Sequence, residues 1–110
     1  MEIDVTTTDA VTVVAIGFDV DAKTAPVLQE RILPLITPER PVILDMSRVG
    51  YMSSAGLRVL LTTYRHATSS KSRLVLAGLS EDLRDMMSAT GFLSFFVTFD
   101  TLEGAFESLK

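Results

Sequence analysis

Two adjacent serines, Ser53 and Ser54, precede Ala55 and Gly56 where a mostly apolar run gives way to a helical periodicity. A serine hydroxyl at such a junction can act as a nucleophile, a helix cap or an acceptor of phosphate. The nucleophile reading requires a G-x-S-x-G turn and a base within hydrogen-bond reach. Ser54-Ala55-Gly56 supplies the S-x-G half, but Met52 stands where the preceding glycine belongs. The sole histidine, His66, falls about three turns along the same helix, too far to take a proton from Ser54. Hydrolysis is therefore not expected, and His66 reads as an ordinary helix residue.

Two readings remain for the four small residues. In the first, Ser53 or Ser54 caps a helix and Gly56 lets that helix approach a neighbouring strand. In the second, the small residues leave a flat surface where another protein's backbone can approach and one hydroxyl is accessible. Gly56 in a first helical turn costs about 1 kcal/mol relative to alanine, so something other than helix stability favours it. A phosphate on the serine would add a charge of about −1.5 to −2 at the positive end of the helix dipole. The fold would tolerate it there, while a docking surface would suffer repulsion and desolvation.

Other chemistries find little support. No G-x-x-x-x-G-K-[ST] or G-x-G-x-x-G sequence is present, so nucleotide hydrolysis is not expected. One histidine and no cysteine cannot build a closed zinc site, and neither a metal nor a cofactor is called for. Asp19, Asp21 and Asp45 are dispersed around predicted strand ends, the places of turn and cap residues. Ten basic against 14 acidic residues give a formal charge of −4, which disfavours direct nucleic-acid binding. Runs such as Val13-Val14-Ala15-Ile16 are far below the roughly 18 residues of a membrane span. The opening Met1-Glu2-Ile3-Asp4 resembles no secretory signal, so a cytoplasmic location and no membrane partner are expected.

The elements that must position the serines follow from periodicity. With 47% hydrophobic and 22% charged residues over 110 positions, a single globular domain over 1–110 is expected. Alternation at Ile3, Val5 and then Val11, Val13, Ala15 predicts a β-hairpin. Thr24 is placed to cap a helix with Pro26 in its first turn and Leu28, Ile32 and Leu35 or Ile36 on one face, which Pro34 strains or ends. Pro41 to Met46 predicts a strand covered on both faces at the sheet's centre. Leu57, Leu60, Leu61 and Tyr64 give the helix that begins near the serine pair.

Arg73 to Ala77 predicts another strand. Ser80 caps a third helix carrying Leu83, Met86 and Met87, with Gly91 in the left-handed position that closes it. Phe95 to Phe99 is expected as the last strand, before a Thr101-capped helix with Leu102, Ala105, Phe106 and Leu109 inward. The order ββαβαβαβα implies an α/β fold with about five strands in a mostly parallel sheet and about four helices. The methionine pair and the phenylalanines are expected in the core.

Leu44-Asp45-Met46-Ser47-Arg48-Val49-Gly50-Tyr51-Met52-Ser53-Ser54-Ala55-Gly56-Leu57 resembles, without a gap, the pattern L-D-[LM]-S-x-[VL]-x-[YF]-[MI]-[DS]-S-[AST]-G-[LI] of the STAS domain family. That family is shared by sulfate transporters and anti-sigma factor antagonists. The resemblance extends to Asp21 through Leu28 and to Phe99 through Ala105. It implies a STAS fold and a binding protein that is not an enzyme. It further implies that Ser54, with Ser53 as the alternative, is phosphorylated by a partner anti-sigma factor that is a serine kinase. Unphosphorylated, the chain would bind that kinase and release a sigma factor; phosphorylation would break the complex until a serine phosphatase restores it. ATP and magnesium would belong to the kinase.

The partner surface implied comprises Asp19, Asp21, Lys23, Ser53, Ser54, Ala55, Gly56 and Arg58. Three positions depart from the pattern: Ser53 where aspartate is common, Phe18 where glycine is frequent, and Gly104 inside the last helix. The alternative within the same family is a constitutive scaffold or a subunit of a signalling or lipid-transport assembly, never phosphorylated.

Overall fold

The computed structural model describes residues 2–109; Met1 and Lys110, the two ends of the expected domain, lie outside the described residues. Five strands of the described residues form one sheet in the order β1-β2-β3-β4-β5: β1 (Ile3–Thr7), β2 (Thr12–Ile16), β3 (Val42–Asp45), β4 (Leu74–Ala77) and β5 (Val97–Phe99). β1 and β2 are antiparallel, and every later pairing is parallel. Among the described residues four α-helices alternate with the strands: α1 (Ala25–Ile32), α2 (Ser54–Ser69), α3 (Glu81–Ala89) and α4 (Leu102–Ser108). This is the expected mixed sheet with the expected order of elements.

The hairpin closes because Thr8 organises its turn. Its hydroxyl accepts from the amides of Ala10 (3.2 Å) and Val11 (3.0 Å), while its own amide donates to the Val11 carbonyl at 2.9 Å. That sets the register Thr7 opposite Thr12 and turns Val14 and Ile16 onto one face and Val13 onto the other. β3 carries Leu44 and Val42 on the first face and Ile43 on the second, all with no exposed surface. A strand covered on both faces has no room for a polar residue, so its near-continuous apolar run marks the centre of the sheet.

The two faces are unequal. Ala25, Leu28 and Ile32 of α1, Leu57, Leu60 and Ala67 of α2, and Leu83 and Met87 of α3 share one core with Val14, Leu44 and Leu76. The opposite face is covered by α4, whose Ala105 and Leu109 meet Val13, Ile43 and Val75. Three helices on one side and one on the other give the chain its layers. No helix among the described residues is long and apolar enough to cross a membrane.

Two local expectations are corrected. Thr24 is not the side-chain cap of α1: it already has helical dihedrals, and the carbonyl of Asp21 accepts from Ala25 at 2.8 Å. The cap is Asp21, whose Oδ1 accepts from the amides of Lys23 (2.9 Å) and Thr24 (3.1 Å). Thr24 instead accepts from the Asp21 amide and donates to the Asp19 carbonyl. A carboxylate with two acceptor oxygens outcompetes a hydroxyl for a helix's free amides, and the helical path starts three residues earlier.

The second correction concerns Phe95, which is not in the last strand. Phe92–Phe95 form a 3-10 turn, and β5 is only Val97–Phe99. Phe92 and Phe96 pack against the core, whereas Phe95 meets Tyr64 at a tilt (ring centroids 5.7 Å apart, planes at 46°) and stays 47% exposed. The other boundaries agree. Pro34 lies in a 3-10 turn that ends α1, Gly91 has φ +81, and Ser80 and Thr101 accept from Leu83 and Gly104 as caps.

Candidate functional site

The serines lie where the β3–α2 loop meets the β2–α1 loop, beyond the carboxyl ends of two parallel strands. Open parallel sheets place their ligand sites beyond these ends. The two loops are tied backbone to backbone: the Val20 amide donates to the Tyr51 carbonyl (3.0 Å), and the Ser53 amide donates to the Val20 carbonyl (2.9 Å). Val20 and Met52 form an isolated parallel bridge and are buried beneath. Asp19 completes the tie, its Oδ1 accepting from the amides of Gly50 and Tyr51 at 3.1 Å each.

This platform sets the start of α2. Ser53 has extended dihedrals, and its hydroxyl accepts from the Ala55 amide at 3.2 Å, so Ser53 is the N-cap. Ser54 is then the first helical residue; it is exposed, and its hydroxyl makes no hydrogen bond to another described residue. The two hydroxyls, identical in type and adjacent in sequence, have different roles. One satisfies the helix and the other faces solvent.

Gly56 is buried against this platform. A Cβ on it would lie 2.4 Å from Met52 Cγ and 2.8 Å from the Val20 carbonyl oxygen, distances that real side chains do not adopt. The missing side chain therefore serves the close approach of α2 to the bridged loops. Of the eight residues named as the expected partner surface, Gly56 alone is buried. Ala55 and Ser53 are partly exposed, and Ser54 and Arg58 are exposed on α2.

Asp19, Asp21 and Lys23 are brought to the same end. Asp19 is exposed but engaged in the loop tie, and Lys23 is exposed. Asp21 is the helix cap, and the amides of Thr24 and then Lys23 hold its carboxyl below its ordinary value of 3.8. Asp45, also singled out among the loop carboxylates, accepts from the Ser47 amide at 3.1 Å and shapes the first turn of the β3–α2 loop.

Two grooves flank Ser54. One, of about 620 Å³, runs between α1 and α2 past Ala22, Gln29, Glu30, Ala55 and Arg58. The other, of about 360 Å³, lies between α2 and the α3 end and is lined by Ser54, Leu57, Arg58, Leu61 and Phe92. Tyr51 stands 57% exposed on the loop before the serines. Sequence reasoning did not single out Tyr51, Gln29 or Glu30. For Tyr51 the signal was available, an aromatic residue in a loop that no apolar periodicity claims; α1's contribution depended on how that helix leans on α2.

The arrangement lacks the parts of an acyl-transfer site. His66 is exposed on α2, twelve residues from Ser54 and hence about 18 Å along the axis. Among the described residues no group of three or more histidines, cysteines or carboxylates is placed to hold a metal. What the geometry offers is an open polar surface, an available hydroxyl and flanking apolar grooves.

Comparison with known proteins agrees with this architecture. The STAS domain model matches residues 2–105. The anti-sigma-B factor antagonist of Listeria monocytogenes is 33% identical over 105 residues, covering 94% of this chain and 90% of that protein. A Bordetella bronchiseptica relative named BtrV is 39% identical over 72 residues, 66% of this chain and 62% of its own length. Among solved structures, the anti-sigma factor antagonist SpoIIAA in its unphosphorylated form superposes with a TM-score of 0.78 at 18% identity, covering 97% of this chain and 95% of that one. At that identity the likeness shows the fold. The chain belongs to the STAS domain family and, within it, groups with the anti-sigma factor antagonists.

Proposed function

We propose that this chain is a cytoplasmic anti-sigma factor antagonist that works by binding and is switched by phosphate on Ser54. Unmodified, it binds an anti-sigma factor that is a serine kinase and so frees a sigma factor; phosphorylated, it lets go until a serine phosphatase restores it. The observation that carries this reading is the division of labour between the two serines. Ser53 is committed to capping α2, and Ser54 is exposed with a hydroxyl that makes no hydrogen bond to another described residue.

The names of the relatives support the output, and the family supports a binding role over an enzymatic one. The neighbour SpoIIAA is known in unphosphorylated and phosphorylated forms, with TM-scores of 0.78 and 0.75 to this chain. Physical chemistry supports the rest. A dianionic phosphate at the first helical position is tolerated by the helix dipole, while the same charge opposes any partner docked over it. Asp19, Asp21, Lys23, Ser53, Ala55 and Arg58 form the rim of that docking surface, with Gly56 beneath it.

The test is peptide mass spectrometry of the protein from its own host, with and without phosphatase, paired with Ser54→Asp and Ser54→Ala variants. A phosphate on Ser54, and loss of kinase binding by the aspartate variant only, are expected. No phosphate on Ser53 or Ser54 under growth and stress conditions, with equal binding by both variants, would replace the switch with the constitutive scaffold.

A further inference from the structure

Arg58 is the unused charge beside Ser54. It lies four residues along α2, the spacing that brings two side chains onto one face of a helix. Both residues are exposed, and both line the groove between α2 and the end of α3. The ion pairs among the described residues engage Arg48 and Arg84, and none engages Arg58. α2 contains no carboxylate in its 16 residues, so nothing on its own helix competes for this guanidinium.

The charged groups facing Arg58 from other elements are few. Arg58 also lines the other groove, between α1 and α2, where Glu30 of α1 shares the lining without an ion pair to it; in the groove shared with Ser54, Thr90 and Phe92 carry no charge. Asp21 is committed to capping α1. Lys23, on the neighbouring loop, adds a second cation at this end of the molecule. Arg58 thus has no ion-pair partner among the described residues.

We propose that Arg58 is the receptor for a phosphate on Ser54, so that modification withdraws this cation from the docking surface while adding negative charge to it. The pair presupposes the phosphate on Ser54 proposed above. A phosphate dianion offers three acceptor oxygens, and a guanidinium presents its donors in a fork that can bind two of them. The serine is N-terminal to the arginine, the favourable order for an anion–cation pair on a helix. In the unmodified chain Arg58 is free to meet acidic side chains of a partner. In the modified chain it is held, and the partner faces a phosphate with its counter-charge already satisfied.

The experiment uses the full chain with phosphoserine installed at position 54 by genetic code expansion, followed by phosphorus NMR across the second phosphate ionisation near pH 6. Arg58→Ala is expected to raise that pKa by roughly 0.3 units or more, the equivalent of an exposed i,i+4 charge pair. Arg58→Lys, which keeps the charge, should preserve at least half of the lowering, and Arg65→Ala, three turns from Ser54, should leave the titration unchanged.

In the phosphorylated parent the Arg58 Nε–Hε resonance should move with the same pKa. An unchanged titration in Arg58→Ala, an equal rise in Arg58→Lys, or an equal rise in Arg65→Ala would overturn the pair. Arg58 is exposed, so the variants are expected to unfold at the parent's temperature, and thermal unfolding checks that they do. Because phosphoserine is installed at position 54 during translation, independently of any kinase, its absence from the native protein would defeat the proposed switch without touching this result.

Discussion

The chemistry of this site turns on the difference between two neighbouring hydroxyls. Ser53 accepts the Ala55 amide and caps α2, whereas Ser54 is exposed and makes no hydrogen bond to another described residue. Ser53→Ala is therefore expected to lose about 1 kcal/mol of folding stability, and Ser54→Ala to stay within about 0.5 kcal/mol of the parent. Urea unfolding of the two variants checks this. Reversed losses would mean that Ser54 is the cap.

Asp21 gives a second prediction at this scale. Its carboxyl is held below 3.8 because the amides of Thr24 and Lys23 bond its ionised form. A lowered carboxyl pKa contributes stability that is fully present above the unfolded value and is lost as the pH falls through the folded one. Asp21→Asn should accordingly be less sensitive to acid than the parent below pH 3.8, as followed by thermal unfolding against pH.

At the scale of elements, the site depends on how α2 is seated on two bridged loops. Gly56→Ala would gain about 1 kcal/mol in helix propensity. It would also drive a methyl into the Val20 carbonyl, which backbone cannot easily relieve, and overpacking of that kind costs roughly 1–3 kcal/mol. A net loss of stability is expected, together with altered amide chemical shifts at Val20 and Met52. A stabilised variant would mean that the loops yield. The tie made by Asp19 is more local: Asp19→Ala should speed amide hydrogen exchange at Gly50 and Tyr51, and leave the Val20 and Ser53 amides protected by their own carbonyl partners.

At the scale of the whole molecule, the proposed switch requires a modification that changes binding without changing the fold. Ser54 lies outside both hydrophobic clusters. A Ser54→Asp variant should therefore unfold within about 0.5 kcal/mol of the parent, because an acidic residue at a helix start is favourable by a similar amount. Circular dichroism and denaturant titration check it; a large loss would replace a surface switch with a folding switch.

The order of elements and the central place of β3 were legible in the sequence because both follow from periodicity. Apolar residues must alternate in a half-covered strand, run continuously in a doubly covered one and recur every three or four in a helix. Ser80, Thr101 and Gly91 were legible for the same local reason, since caps and left-handed positions restrict residue type. The α1 cap was not, because Asp21 and Thr24 are both good capping residues and the choice lay in which carbonyl and amide the turn between them could reach. Phe95 was misplaced because an aromatic residue beside a strand matches the strand's composition, while Gly91 and the packing of Phe92 and Phe96 curl the chain into a 3-10 turn.

By itself, then, the sequence determined the class of fold, the small-residue helix start and the pair of candidate hydroxyls, all of them matters of local preference and spacing. The tertiary structure alone decided which serine is committed to the helix and which is exposed, and why Gly56 is needed. It also set Asp19 of one loop against the Gly50 and Tyr51 amides of the other. Those outcomes depend on the meeting of two loops that are 30 or so residues apart along the chain, and no local preference encodes the distance between them.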